Sequence, residues 1–88
     1  MGNITVYVIR STATGKRYVG ITNCLERRLA EHRSRNSKAG QLLGDFELLH
    51  TEVFQNYKEA RKREKFLKSG RGRRWLDELY GTRPADGG

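Results

Sequence analysis

Two runs near the start of the chain, ITVYVIR (Ile4 to Arg10) and RYVGI (Arg17 to Ile21), constrain the fold more than any other feature. β-Branched and aromatic residues alternate through both, as in a pleated strand with two distinct faces. On the first run Ile4, Val6 and Val8 share one face, and Thr5, Tyr7 and Ile9 the other. On the second, Tyr18 and Gly20 share a face, opposite Val19 and Ile21. The link between the runs, STATGK, is too short for a crossover helix, and Gly15 within it is free to take positive φ. The two runs therefore predict an antiparallel hairpin.

The segment TNCLERRLAEHRS then reads as a helix, with Asn23 as N-cap, Glu26 completing a capping box, and Leu25 and Leu29 marking the buried stripe. A polar, glycine-containing loop is expected over Arg35 to Gly44. FELLHTEVF reads as a third, moderately buried strand. NYKEARKREKFLKSG reads as a second helix, capped by Asn56, with Ala60, Phe66 and Leu67 as its apolar stripe and Gly70 at its end. GRRWLDELYG is a short third helix with Trp75, Leu76 and Leu79 turned inward. The expected fold is α+β, a three-stranded antiparallel sheet flanked by helices in the order β-β-α-β-α-α. One domain is expected over residues 1–81, followed by a disordered tail over 82–88.

Eighty-eight residues allow one modest core. A formal charge of +8 on so short a chain favours a polyanionic partner, most often nucleic acid. Cys24 is the only cysteine, so no internal disulfide forms; it is expected to be a small buried hydrophobe. No apolar run approaches the ~20 residues of a membrane span, and no signal peptide is read, so a cytoplasmic location is expected.

Charged groups sit where apolar ones are expected. Arg28 and His32 are four residues apart, on the helix face that also carries Leu25 and Leu29. Glu64 lies one turn after Ala60 and three residues before Leu67, on or beside the buried stripe of a helix otherwise rich in Lys and Arg. Each has an ordinary explanation: an arginine stem packed on apolar neighbours, a satisfied histidine, a carboxylate offsetting nearby cations. Residue pattern alone does not choose between these and a functional site.

The set as a whole resembles the GIY-YIG nuclease family, named for two strand triplets. TVY (Thr5, Val6, Tyr7) stands in place of the first and YVG (Tyr18, Val19, Gly20) in place of the second. Arg28, ten residues after Tyr18, matches the family's helix arginine; His32 matches a histidine one turn later, and Glu64 the metal-binding glutamate. Thr5 replaces the first glycine, and Leu76 stands near the position of an asparagine in larger members. The segment LKSGRGRRWL is similar to short stand-alone members, and no further DNA-recognition module follows.

The resemblance implies a metal-dependent endonuclease that hydrolyses phosphodiester bonds in DNA, structure-directed or weakly sequence-specific, of the kind used in DNA repair or recombination. It implies Glu64 as the ligand of Mg²⁺ or Mn²⁺, Arg28 as the phosphate clamp, Tyr7 as leading general base, Tyr18 as a positioning group and His32 as a neighbour that tunes them. Lys16, Arg17, Lys68, Arg71, Arg73 and Arg74 are the expected phosphate contacts, with Gly70 and Gly72 allowing close approach of the DNA backbone. The rival readings are an inactive nucleic-acid-binding module and a structural basic protein.

Overall fold

The computed structural model describes residues 3–34 and 44–81. The alternating runs form strands β1 (Ile4–Ser11) and β2 (Arg17–Thr22), joined by a turn in which Gly15 has φ 79°. They pair antiparallel from Thr5↔Thr22 to Arg10↔Arg17. Strand β3 (Phe46–Phe54) pairs antiparallel with the other side of β1, giving the order β2-β1-β3. A bulge between Val8 and Ile9 sets Val8 opposite His50 and Ile9 opposite Leu48. The extra residue bends β3 and increases its local twist.

Three helices among the described residues cover this sheet: α1 (Leu25–Arg33), α2 (Tyr57–Lys68) and α3 (Gly70–Tyr80). The two faces of β1 serve different helices. Ile4, Val6 and Val8, with Val19, pack on Ala60 and Leu67 of α2 and Leu76 of α3. Tyr7 and Ile9 pack on the opposite face with Leu29 of α1, flanked by Tyr18, Leu25 and Phe46. Full burial of such an aliphatic side chain contributes about 1.5–3 kcal/mol, so the central strand anchors both layers. The α+β class and the order β-β-α-β-α-α are as the sequence predicts.

Several local expectations give way. The N-cap of α1 is Cys24, not Asn23, and no side chain caps it. Thr22 Oγ1 accepts from the Cys24 amide instead, at 3.0 Å, while Asn23 Oδ1 accepts from Arg27. Cys24 is exposed rather than buried, because the cap turns it outward at the end of β2. Leu79 is also exposed, at 53%, since α3 has already crossed the core at Leu76. Asn56 does cap α2, accepting from the Glu59 amide at 2.9 Å. The expected loop over Arg35 to Gly44, apart from Gly44, and the expected tail over 82–88 lie outside the described residues.

Gly70 does not end α2; it begins α3. Ser69 is the corner between them: its Oγ donates to the Phe66 carbonyl at 2.6 Å and accepts from the Gly72 amide at 3.2 Å. Gly72 is buried at this corner, and a Cβ there would fall onto the Phe66 carbonyl oxygen and lie 2.5 Å from Leu67 Cα. Its lack of a side chain permits the close α2–α3 packing.

A polar clasp ties β3 to both helices. Arg63 of α2 donates to Glu52 through Nε at 2.8 Å and Nη2 at 3.1 Å. The Arg63 guanidinium also lies over the rings of Phe66 and Trp75, at 4.8 and 4.7 Å. His50 bridges Glu52, at 2.7 Å from Nε2, and the Tyr80 hydroxyl, at 2.6 Å from Nδ1. Burial pushes the Glu52 carboxyl upward, but its hydrogen bonds to Arg63 and His50 outweigh this and hold it below its usual range.

Candidate active site

Tyr7 is fully buried in the middle of β1, and its place is made by the residue across the ladder. Gly20 is its antiparallel partner, and a Cβ on Gly20 would lie 2.5 Å from Tyr7 Oη and 2.7 Å from Cζ. The last residue of the YVG triplet is thus the space occupied by the phenol of the TVY triplet. From there Tyr7 Oη meets His32 Nε2 of α1 at 2.9 Å. Tyr18 completes the group, its ring centroid 6.3 Å from that of Tyr7 and 5.5 Å from that of His32. Phe46 closes the far side, edge-on to the imidazole at 6.1 Å.

The electrostatics of the pair are complementary. Burial raises the Tyr7 phenol above its ordinary value, opposed by the pull of Arg28. Burial, then the positive charge of Arg28, lowers the His32 imidazole. Near neutral pH the phenol therefore keeps its proton and the imidazole is neutral, the donor of their hydrogen bond being set by the tautomer of the ring. The Arg28 guanidinium lies beside the phenol without meeting hydrogen-bond geometry. Its Nη1 donates to Glu31 at 3.0 Å, while its Nε is buried with no hydrogen-bond partner among the described residues. That N–H is closed to solvent, so an incoming acceptor would meet the exposed part of the guanidinium, on a side chain 40% exposed, rather than Nε.

Glu64 is not joined to this cluster by a direct contact. It projects from α2, its side chain 15% exposed, and pairs with Lys68 at 2.9 Å. Lys68 is half exposed and can swing away, leaving a shielded carboxylate. No group of three or more His, Cys, Asp or Glu residues among the described residues could hold a metal ion. A cation at Glu64 must therefore take most of its ligands from water and substrate, which suits the hard, octahedral Mg²⁺.

The expected phosphate contacts divide. Lys16, Arg17, Lys68 and Arg73 line one cavity of about 800 Å³, which also reaches Tyr18. Arg71 and Arg74 are exposed on α3 outside that lining. Arg17 is already engaged: it pairs with Asp77 at 2.8 Å and donates to the Arg73 carbonyl at 3.4 Å. Sequence reasoning missed Glu31, although its spacing from Arg28 is that of an i,i+3 pair, and Arg10, which lines the cavity while paired with Glu47. Gly20 had been placed in its motif, but its steric role emerges only from the strand register.

The GIY-YIG catalytic domain model matches residues 3–75. The chain belongs to the GIY-YIG family. It thus has a nuclease-type fold, from a family whose members are usually endonucleases, typically use divalent metals and act on nucleic acids. Comparison with curated proteins gave no match. Among solved structures the chain is similar to the solution NMR structure of the UPF0213 protein BH0048 from Bacillus halodurans. The two are 32% identical over 90% of this chain and 86% of that one, with a TM-score of 0.55. No helix among the described residues is long and apolar enough to cross a membrane.

Proposed function

We propose that this GIY-YIG domain, taken to run over residues 1–81, is a metal-dependent endonuclease that hydrolyses phosphodiester bonds in DNA, structure-directed or weakly sequence-specific. The observation that carries the reading is the buried Tyr7–His32 hydrogen bond with the partly exposed Arg28 guanidinium beside it.

Arg28 grips a non-bridging phosphate oxygen with the exposed part of its guanidinium and offsets the charge that develops in the transition state. Tyr7 takes the proton of the attacking water as it passes its own proton to His32 Nε2, so that hydroxide forms while the phenol stays neutral. The depressed His32 is neutral at rest, and in the tautomer with its proton on Nδ1 it accepts at Nε2. Tyr18 orients water or phosphate from the neighbouring strand. Glu64 would hold Mg²⁺ or Mn²⁺, which when bound supplies Lewis-acid polarisation of the phosphate and stabilises the leaving oxygen. Lys68 links the two halves of the site: it pairs with Glu64 and lines the cavity that reaches Tyr18.

The test is cleavage of labelled branched and linear DNAs in Mg²⁺ and in EDTA, by the natural chain and by Glu64→Gln. Cleavage should require the metal and fall sharply in the variant while folding survives. Undiminished metal-dependent nicking by Glu64→Gln rules out that carboxylate as the ligand. Binding without cleavage favours the inactive-module reading.

A further inference from the structure

The outward face of α2 carries four exposed cations that take no part in the site described above: Lys58, Arg61, Lys62 and Lys65. At about 100° of turn per residue they share one arc of roughly 100°, centred nearly opposite Ala60 and Leu67, which pack on the sheet. Glu59 and Glu64, the acidic residues of the helix, fall outside that arc. Among the described residues, none of the four cations makes an ion pair. Like charges at i,i+3 and i,i+4 destabilise a helix, and a face kept only for solubility mixes both signs. Four unpaired cations along about 10 Å of helix suit the phosphate density of nucleic acid, one charge per about 1.7 Å of duplex axis.

The chemistry of the arc selects among polyanions. One exposed aromatic, Tyr57, borders it, where a single strand calls for a succession of rings on which bases stack. It has no apolar border to enter a membrane, because the apolar side of α2 is packed on the sheet. Lysine and arginine alone suit the phosphates of a duplex. The position of the arc is equally informative. α2 packs on the side of β1 that carries Val6 and Val8, whereas Tyr7, Ile9 and Leu29 lie on the other. The sheet and α2 itself thus separate these cations from the Tyr7–His32 pair. A duplex is stiff on this length scale and resists wrapping a domain of 88 residues to touch both sides.

We infer that the outward face of α2 holds the phosphates of a second duplex arm while the first arm lies at the cleavage site, so that the substrate is a branched DNA. The inference rests on the nuclease reading for the identity of the cleavage site. It gives the structure-directed character of that reading a physical basis. Selection comes from the angle between two arms, with phosphate contacts on both and no base read.

The experiment is fluorescence anisotropy of the full chain in EDTA, across a salt series, with a labelled three-way junction and a linear duplex of equal total length. Each phosphate neutralised contributes about 0.9 to the slope of log affinity against log salt, so the junction should show a slope steeper than the duplex by about 3 to 4. Lys58→Gln, Arg61→Gln, Lys62→Gln and Lys65→Gln combined should erase that difference, weakening junction binding about tenfold or more and duplex binding about threefold or less. Circular dichroism melts show that the fold is kept, and the Lys62→Gln, Lys65→Gln pair, which disturbs the helix less, should remove part of the difference. An equal loss on both DNAs would reduce the arc to general charge attraction and overturn the inference, as would an unchanged junction slope. Loss of binding to phosphatidylserine vesicles, with the junction slope unchanged, would make the face a membrane contact instead. A chain that shows the branch-dependent slope yet leaves DNA uncut in Mg²⁺ keeps this inference as a binding property and loses the nuclease reading. One that cuts, and binds junction and duplex alike, keeps the nuclease reading and loses this one.

Discussion

Replacing Gly20 with alanine should damage stability and site together. The new Cβ would sit 2.5 Å from Tyr7 Oη, 2.7 Å from Cζ and 3.0 Å from Cε1, all inside contact distance. The phenol has little room to retreat, because Tyr7 is fully buried and packed with Ile9 and Leu29. Overpacking of this kind costs about 1–3 kcal/mol. Displacing Oη also breaks its 2.9 Å bond to His32, worth about 0.5–1.5 kcal/mol. The terms overlap, so a net loss of about 2 kcal/mol is expected, which lowers Tm by about 8–16 °C in a domain of this size. Chemical denaturation gives the stability, and single-turnover cleavage on the same sample gives the activity. Gly70→Ala is the control, since its Cβ meets nothing within 4 Å and its stability should change by no more than about 0.5 kcal/mol. In a double-mutant cycle, Tyr7→Phe should relieve part of the Gly20→Ala penalty by removing the nearest atom. A Gly20→Ala chain as stable as the natural one, with its Tyr7–His32 bond intact, would refute the steric reasoning.

Gly72→Ala should be the more destructive alanine substitution, because its Cβ meets backbone at Phe66 and Leu67, which cannot rotate aside; circular dichroism melts of both variants give the order. The depressed His32 predicts a pH dependence of stability: its contribution is complete above the ordinary value of about 6.5 and is lost as pH falls toward its lower folded value. Denaturation midpoints between pH 8 and pH 5 should therefore fall more steeply for the natural chain than for His32→Asn. Arg63→Ala should cost about 3 kcal/mol, since it leaves Glu52 partly buried without its bidentate partner, and Glu52→Gln should cost less.

The strands were legible because β1 and β2 are rich in β-branched and aromatic residues and are joined too briefly to be anything but antiparallel. The helix stripes were legible from their helical spacing, through Leu29, Ala60 and Leu67. What sequence could not supply was register. Only the Tyr7↔Gly20 pairing shows that one motif glycine exists to admit the other motif's phenol. The caps show the same limit: Asn23 and Cys24 compete for one position, and the Thr22 hydroxyl decides it by holding the Cys24 amide. In a linear reading Gly70 resembles a helix-ending glycine and Gly72 a point of close approach for DNA. In space one opens α3 and the other is the contact point between two helices. Of the candidate site, Tyr7, Tyr18, Arg28 and His32 are assembled by these elements, whereas Glu64 pairs with Lys68 on α2, the helix that packs on the other face of β1.

The most direct measurement of the central claim is single-turnover cleavage by Tyr7→Phe in Mg²⁺, with melting and DNA affinity taken on the same sample. The substitution keeps the ring in its buried site and removes only the oxygen that meets His32 Nε2. If Tyr7 passes the water's proton to His32, cleavage should fall about 10²–10⁴-fold while DNA affinity stays close to that of the natural chain. Full cleavage by a folded Tyr7→Phe chain would contradict the account and move the base to another group.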